Sequence, residues 1–552
     1  MINKLLYLAT CCLFFLSVAG HAQSNTRYLI LYKDKVGSPY SVSRPQEFLS
    51  DKAIARRSNQ RIRITEHDFP VNPAYVRTIL QTGASVIYSS RWFNGSLVEA
   101  SSAQLESIKK LAFFKGIEQN HPLANLTTPS AGVSRIASVT GTQADLDYGR
   151  MQQQLALIGV DKLHQEGYHG ENMLIGVLDA GFSRANELAY MKPVFDENRV
   201  VDTHDFVSRE SNVYDDDSHG INALSTIAAY QPGTMIGAAF KASFAFYRTE
   251  NVFIESPYEE VTWLLGAERA DSTGVDIISS SLGYNTFDNE FDNAEYNHTY
   301  QQMDGKTTII SRAARFAARK GILVVNSAGN EGNKAWHYIS APADVDSVAS
   351  VGATTLDRNY AAFSSVGPNA AGQLKPDLSA VGSGAVVGNN TGAATTSNGT
   401  SFSAPQIAGL AAILWQAFPA LSAQQIITAL KKSGHQASNP DNLLGYGVPN
   451  GALAAQIIKN DFVLLGTEPD VLDAIVLSPN PVQQDLTLTF PAALIGKKST
   501  ISLISQSGKT IWQNQYVLNP TLPLSTSVLS PGLYLIKVDV SDRSRTLKFV
   551  KQ

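Results

Sequence analysis

Cysteine is almost missing from this 552-residue chain: Cys11 and Cys12 stand side by side near the amino terminus and no other follows. The body of the protein therefore has no disulfide framework, no Cys-ligated metal and no thiol nucleophile. An excess of one charge sign is missing too. Forty-four Lys and Arg against 48 Asp and Glu give a formal net charge of −4, and no basic stripe interleaved with aromatics occurs, which argues against nucleic acid as a partner. After the first twenty residues no run is long and apolar enough to suggest a transmembrane span.

What is present begins with MINKLLYLATCCLFFLSVAGHAQ. Lys4, an apolar run over 5–18 and the small residues Gly20 and Ala22 read as a secretory signal peptide over 1–22. Its removal would take both cysteines, leaving stability to core packing or bound ions. At ~150 residues per domain the length of the chain suggests about three or four units.

Residues 23–123 read as a small α+β domain, with strands over 28–32, 85–89, 96–100 and 115–119 and helices over 74–81 and 103–111. Residues 124–153, rich in Thr, Ser, Ala and Gly, read as an exposed linker open to proteolysis. From 154 to 460 short apolar strands alternate with helical stretches, the pattern of an α/β domain on a parallel sheet. Within it, the polar run 285–305 is expected as a surface loop. A second linker over 461–472 precedes 473–552, where strict alternation in Asp485-Leu486-Thr487-Leu488-Thr489-Phe490 and turn signals predict a small antiparallel β-sandwich.

In an open parallel sheet, ligands bind beyond the carboxyl ends of the strands. Three expected strands hand over there to Asp179-Ala180-Gly181, to Ser281-Leu282-Gly283 and to Ser327-Ala328-Gly329-Asn330-Glu331-Gly332. A nucleophilic serine needs a base within reach, and the base needs a carboxylate. His219, in Asp217-Ser218-His219-Gly220, is the best base among ten histidines, with a glycine that allows a tight turn. The serine lies in NGTSFSAPQIAGLAAILWQAF, residues 398–418, which opens a buried helix. Thr400 and Ser403 are expected to cap its backbone N–H groups, and Pro405 to fall in its first turn.

Asp179, His219 and Ser401 in that order, with NGTSFSAP, SAGNEG and SLG, resemble the subtilisin-like serine proteases over roughly 155–458. The resemblance implies a three-layer α/β fold with a mostly parallel central sheet. It makes Ser401 the nucleophile, His219 the general base and Asp179 its orienting group. Asn330 and the Ser401 N–H would hold the oxyanion. Ser281, Leu282 and Gly283 would pair with substrate and form one wall of the first specificity pocket, and Ala328 and Gly329 the other. Ala180 and Ile221 depart from the family, which usually has a hydroxyl residue at each.

By the same resemblance 23–123 is an inhibitory propeptide released within 124–153. Leu477-Ser478-Pro479-Asn480-Pro481-Val482, residues 529–538 and the basic end Lys548-Phe549-Val550-Lys551-Gln552 resemble the sorting domain of the Bacteroidetes type IX secretion system. The expected protein is a secreted or surface serine endopeptidase made as a zymogen, with peptides, its own propeptide and the secretion machinery as partners. A silent adhesin on the same fold, or an esterase or ligase using the same site, are the alternatives. No cofactor is expected for catalysis; a structural calcium with carboxylates such as Asp215 and Asp216 is conceivable, without a defining ligand spacing.

Overall fold

The computed structural model describes residues 26–125, 146–463, 471–541 and 543–552. The expected signal segment and residues 126–145 of the expected processing linker lie outside the described residues. The chain divides into two units, one ending at Ile458 and the other running from Lys459 to Gln552.

In the first unit an antiparallel sheet comes first. Strand β1 (Thr26–Tyr32) is followed by helices α1 (Asp51–Asn59) and α2 (Pro73–Leu80), then by β2 (Ser85–Ser90), β3 (Gly95–Ala100), helix α3 (Ser102–Lys109), β4 (Phe114–Ile117) and the short β5 (Ala124–Asn125). The strand order is β2-β3-β1-β4, with β5 also paired to β1. Helix α1 is absent from the sequence expectation. Its DKAIARRSN shows no apolar stripe because the side chains it buries are mainly Arg56 and Arg57.

The parallel sheet that follows has β6 (Leu174–Asp179), β7 (Val200–Asp205), β8 (Ser243–Arg248), β9 (Ile277–Ser280), β10 (Leu323–Ser327), β11 (Ala349–Thr354) and β12 (Leu378–Val381) in the order β12-β11-β10-β9-β6-β8-β7, all neighbours parallel. Progress along the sheet reverses at β6, and that reversal opens a crevice at the carboxyl ends of the strands. Helices α4 (His219–Ala228), α5 (Tyr258–Thr273), α6 (Ile309–Arg319) and α7 (Thr400–Ala417) connect and cover it. Every residue of α7 from Thr400 to Trp415 is buried, so this helix is core, as its apolar run predicts.

Residues 285–305 form the surface loop expected, with residues 288–290 and 292–295 exposed, but it is anchored at a few points. Phe287, Phe291 and Met303 enter the core, and His298 Nε2 meets the buried Glu260 carboxylate at 2.6 Å. Polar composition concealed a segment anchored by a few aromatics.

The amino-terminal sheet docks on α5 and α6. Leu29, Trp92, Leu97 and Leu123 share one apolar core with Trp263, Leu264 and Ile309, and Trp92 stacks on Phe316 at 5.8 Å. Glu268 on α5 accepts Ser90 Oγ at 2.5 Å and the backbone N–H groups of Arg91 and Trp92 at 2.9 and 3.2 Å. Helix α1 binds the carboxyl ends of α5 and α6, where orphan carbonyls need donors. Ser50 donates to the Ser272 and Thr273 carbonyls, Arg56 to those of Val275 and Lys320, and Gln60 to Gly321.

The second unit holds two antiparallel sheets, one ordered Val476–Ser478, Asp485–Thr489, Thr521–Ser525 and the other Thr510–Val517, Lys498–Ser505, Gly532–Val540, Arg543–Lys551. Leu486 and Leu488 from the first meet Ile501, Leu503, Ile536 and Val538 from the second in one core. This is the sandwich that the alternation at 485–490 predicts.

Candidate active site

Strand β6 is buried throughout and ends on a carboxylate with no exposure. Such a group must be paired. Asp179 Oδ1 accepts the Ala180 N–H at 2.8 Å and meets His219 Nδ1 at 2.6 Å. Asp179 Oδ2 has no partner among the described residues, and Ala180 is the position at which the family usually carries a hydroxyl.

His219 opens α4, where Asp217 Oδ1 accepts its backbone N–H at 2.7 Å. The glycine beside it serves close approach rather than a tight turn: a Cβ on Gly220 would sit 2.3 Å from the Gly181 carbonyl oxygen and 3.0 Å from Asp179 Cβ. Burial alone would make the imidazole less basic, but the Asp179 carboxylate and its hydrogen bond, with the charges of Glu250 and Asp217, outweigh it and raise His219 to about 9.

Helix α7 starts after Gly399, whose φ of +152° is costly for other residues. Thr400 and Ser403 do not cap it. The Thr400 N–H and Oγ1 both donate to Asn330 Oδ1, at 2.9 and 3.0 Å, and Ser403 Oγ turns back to the Thr400 carbonyl at 2.9 Å. Holding Asn330 by its oxygen leaves its Nδ2 donor without a partner among the described residues, beside an equally free Ser401 N–H. Ser401 is 7% exposed and its Oγ donates to the Ser281 carbonyl at 3.4 Å. Its hydroxyl is not hydrogen-bonded to His219 in this structure, although the His219 ring packs on the adjoining Phe402 with centroids 5.8 Å apart.

Pro405 is the sixth residue of α7, in the second turn rather than the first. It has no N–H for the carbonyl four residues back, which is that of Ser401. Ser281 Oγ supplies the missing donor at 2.9 Å. The helix continues past the proline to Ala417, and the carbonyl of the serine is tied to the residue that follows β9.

Of the expected pocket residues, Ser281, Leu282 and Gly283 follow β9 and Ala328 and Gly329 follow β10, on adjacent strands. Sequence reasoning could not name what closes the space between them. The Ser340 N–H donates to the Ala328 carbonyl at 3.2 Å, and Ala341 exchanges backbone bonds with Tyr284. A Cβ built on Gly283 would lie 3.1 Å from Ser340 Cβ, and one on Gly329 would lie 3.2 Å from Ser340 Oγ. Ser340 thus sits between the two glycines; it belongs to no motif.

Of the carboxylates considered for calcium, Asp216 is engaged by an arginine. Asp216 Oδ1 lies 3.0 Å from the Arg248 guanidinium, and the described residues hold no group of three or more His, Cys, Asp or Glu arranged for a metal ion.

The subtilase family profile (Peptidase S8) matches residues 170–447, a Bacteroidota propeptide domain of the same peptidase family matches 27–134, and a secretion system C-terminal sorting domain matches 477–552. The chain belongs to the subtilase family. It is 30% identical over 304 residues to subtilisin DY of Bacillus licheniformis, covering 55% of this chain and 97% of that protein. To subtilisin E of Bacillus subtilis it is 28% identical over 305 residues, covering 55% and 70%. The crystal structure of MycP1 from Mycobacterium smegmatis superposes with a TM-score of 0.44 at 20% identity, over 58% of this chain and 87% of that one. The protein is a serine endopeptidase made with a propeptide, and its sorting domain directs it to the cell surface or beyond. No described helix is long and apolar enough to cross a membrane.

Proposed function

We propose that Ser401, His219 and Asp179 cleave peptide bonds by acyl transfer. Ser401 Oγ attacks the carbonyl while His219 takes its proton and passes it to the leaving amine; water then releases the acyl-enzyme by the same route. Asn330 Nδ2 and the Ser401 N–H receive the oxyanion, at a helix start whose dipole favours negative charge. This chemistry needs no metal. The observation carrying the reading is the 2.6 Å Asp179–His219 contact at the crevice that also receives the amino terminus of α7. Residues 1–22 are the export signal, and processing falls within 124–153.

Processed protein should be labelled by a fluorophosphonate and should cleave casein. Absence of labelling would overturn the assignment, and labelling with turnover of esters alone would favour the esterase alternative.

The raised basicity of His219 sets the pH dependence. Only neutral imidazole accepts the Ser401 proton, so kcat/KM should climb with pH along a limb lying alkaline of 7 and tending toward about 9. By linkage, the Asp179–His219 pair stabilises the fold fully below about 6.5 and progressively less as pH rises through about 9. Asp179→Asn should return the limb toward the ordinary histidine range and lower kcat by about 10⁴-fold, as the equivalent change does in a serine protease of another fold. An unmoved limb would show that another group sets it.

Extended substrate lies along 281–283, with the side chain before the scissile bond between the two glycines and Ser340 as the floor. The floor carries no charge, so the slot suits uncharged side chains. Ser340→Leu should cut cleavage after large apolar residues by roughly 10-fold or more while sparing small ones. A peptide library would reveal the change, and an unchanged profile would remove Ser340 from the pocket.

A further inference from the structure

We propose that Arg248 is a positioning residue that locks the turn carrying Asp179 to the segment that delivers His219. The inference rests on the Asp179–His219–Ser401 reading and extends it to a side chain that touches neither substrate nor the reacting atoms. Arg248 ends β8 in parallel register with Asp179, and the next residue, Thr249, donates its N–H to the Asp179 carbonyl at 2.9 Å. Its side chain is buried, at 4% exposure. One guanidinium reaches three segments: Nε donates to the Ala180 carbonyl at 3.0 Å, Nη1 donates to Asp205 Oδ2 at 2.8 Å and Ser208 Oγ at 3.1 Å, and Asp216 Oδ1 lies in ion-pair contact 3.0 Å from Nη1.

Those segments are the turn after β6, the end of β7 and the acidic loop entering α4. Turn and loop are already laced together: the N–H groups of Phe182, Ser183 and Arg184 donate to the carbonyls of Val213, Asp217 and Tyr214 at 2.9, 3.1 and 2.7 Å. Asp217 in turn holds the His219 N–H. A shift of the Ala180 carbonyl against Asp216 therefore moves both members of the 2.6 Å pair.

The need for such a brace follows from what Asp179 lacks. Its Oδ2 has no donor among the described residues and residue 180 has no hydroxyl, so apart from His219 itself only the Ala180 N–H holds the rotation of the carboxylate. Arg248 fixes that backbone. A lysine could not substitute, because Nε holds the Ala180 carbonyl while Nη1 meets both carboxylates, and one ammonium cannot stand in both places.

Processed enzyme carrying Arg248→Met should show kcat lowered by about 100-fold with KM for a peptide substrate unchanged, the cost of a small misplacement of reacting groups. Arg248→Lys keeps the charge but not the fork and should still lose about 10-fold in kcat. In both, the far-downfield proton resonance of the His219 Nδ1–H shared with Asp179 should move or vanish. Wild-type kcat in either folded variant, a loss confined to KM, or an unmoved resonance beside a lowered kcat would each overturn the proposal. If Arg248→Met does not accumulate, because the buried Asp205 and the half-buried Asp216 are left without a cation, Arg248→Lys and Asp216→Asn carry the test. The latter removes one anchor of the fork and should lower kcat several-fold, and wild-type kcat there would count against the brace. Failure of the wild-type enzyme to react with fluorophosphonate would instead remove the triad reading itself.

Discussion

Ser401→Ala should abolish turnover: the corresponding change in subtilisin costs about 2 × 10⁶ in kcat, and a loss of that order is expected in this chain. The variant keeps the fold, because Ser401 Oγ makes only a 3.4 Å contact with the Ser281 carbonyl. The stronger tie, Ser281 Oγ to the Ser401 carbonyl at 2.9 Å, involves backbone and survives the substitution. What disappears is the nucleophile alone. Asn330 stays held by Thr400 with Nδ2 free, so a residual acceleration of about 10³–10⁴ over water is expected from oxyanion binding and substrate positioning. Expression of Ser401→Ala should also leave the propeptide attached, if processing is by the protein's own hand. Active-site titration, casein hydrolysis and the mass of the secreted product measure all three effects. Substantial activity in a folded Ser401→Ala variant would place the nucleophile elsewhere.

The residues of this site are easier to read from sequence than those that hold them. Asp179, Asn330 and Ser401 stand at the ends of apolar strands or the start of an apolar helix, where a change of composition marks the sheet edge. His219 follows an acidic stretch and begins a helix. The supporting contacts carry no such mark. Ser281 looks like part of a substrate-binding edge, and only the position of Pro405 within α7 shows that its hydroxyl also replaces a missing helical donor. Ser340 closes the space between Gly283 and Gly329 through the path of the chain, which no local pattern encodes. Arg248 belongs to no motif in the sequence, although it is among the most buried charges beside the site.

Helix α1 was illegible for a related reason. Amphipathic periodicity finds helices that bury apolar side chains, whereas α1 buries arginines against a carboxylate. In 285–305 the loop itself was legible from its polar run, whereas the three apolar side chains that tie it to the core, Phe287, Phe291 and Met303, were not.

The arginines of α1 lead to the second large effect. Asp271 on α5 has no exposure, and three guanidinium groups of the propeptide converge on it: Arg56 on Oδ1, with Arg57 at 2.7 Å and Arg91 at 3.0 Å on Oδ2. Asp68 shares Arg57 at 3.1 Å and takes Lys320 of the peptidase domain at 2.8 Å. Burial would raise the Asp271 carboxyl, yet the three arginines overcome it and hold the group below the usual carboxylate range. Its contribution is therefore complete above about pH 4, the ordinary aspartate value, and fades only as pH falls through the lower value it has in the complex. Mild acid should not release the propeptide through this group. Removing the carboxylate should. Asp271→Asn leaves three buried cations facing a neutral amide, and breaking a buried pair on one side typically costs about 3–5 kcal/mol. A separately expressed propeptide should then inhibit processed Asp271→Asn enzyme about 100-fold or more less tightly than wild type. The catalytic constants of the free enzyme should stay the same, since Asp271 lies near the carboxyl end of α5 and none of its ion-pair partners belongs to the proposed triad. Equal inhibition of the two enzymes would mean that the apolar contact of Leu29, Trp92 and Leu97 with α5 and α6 holds the propeptide without help from the charges.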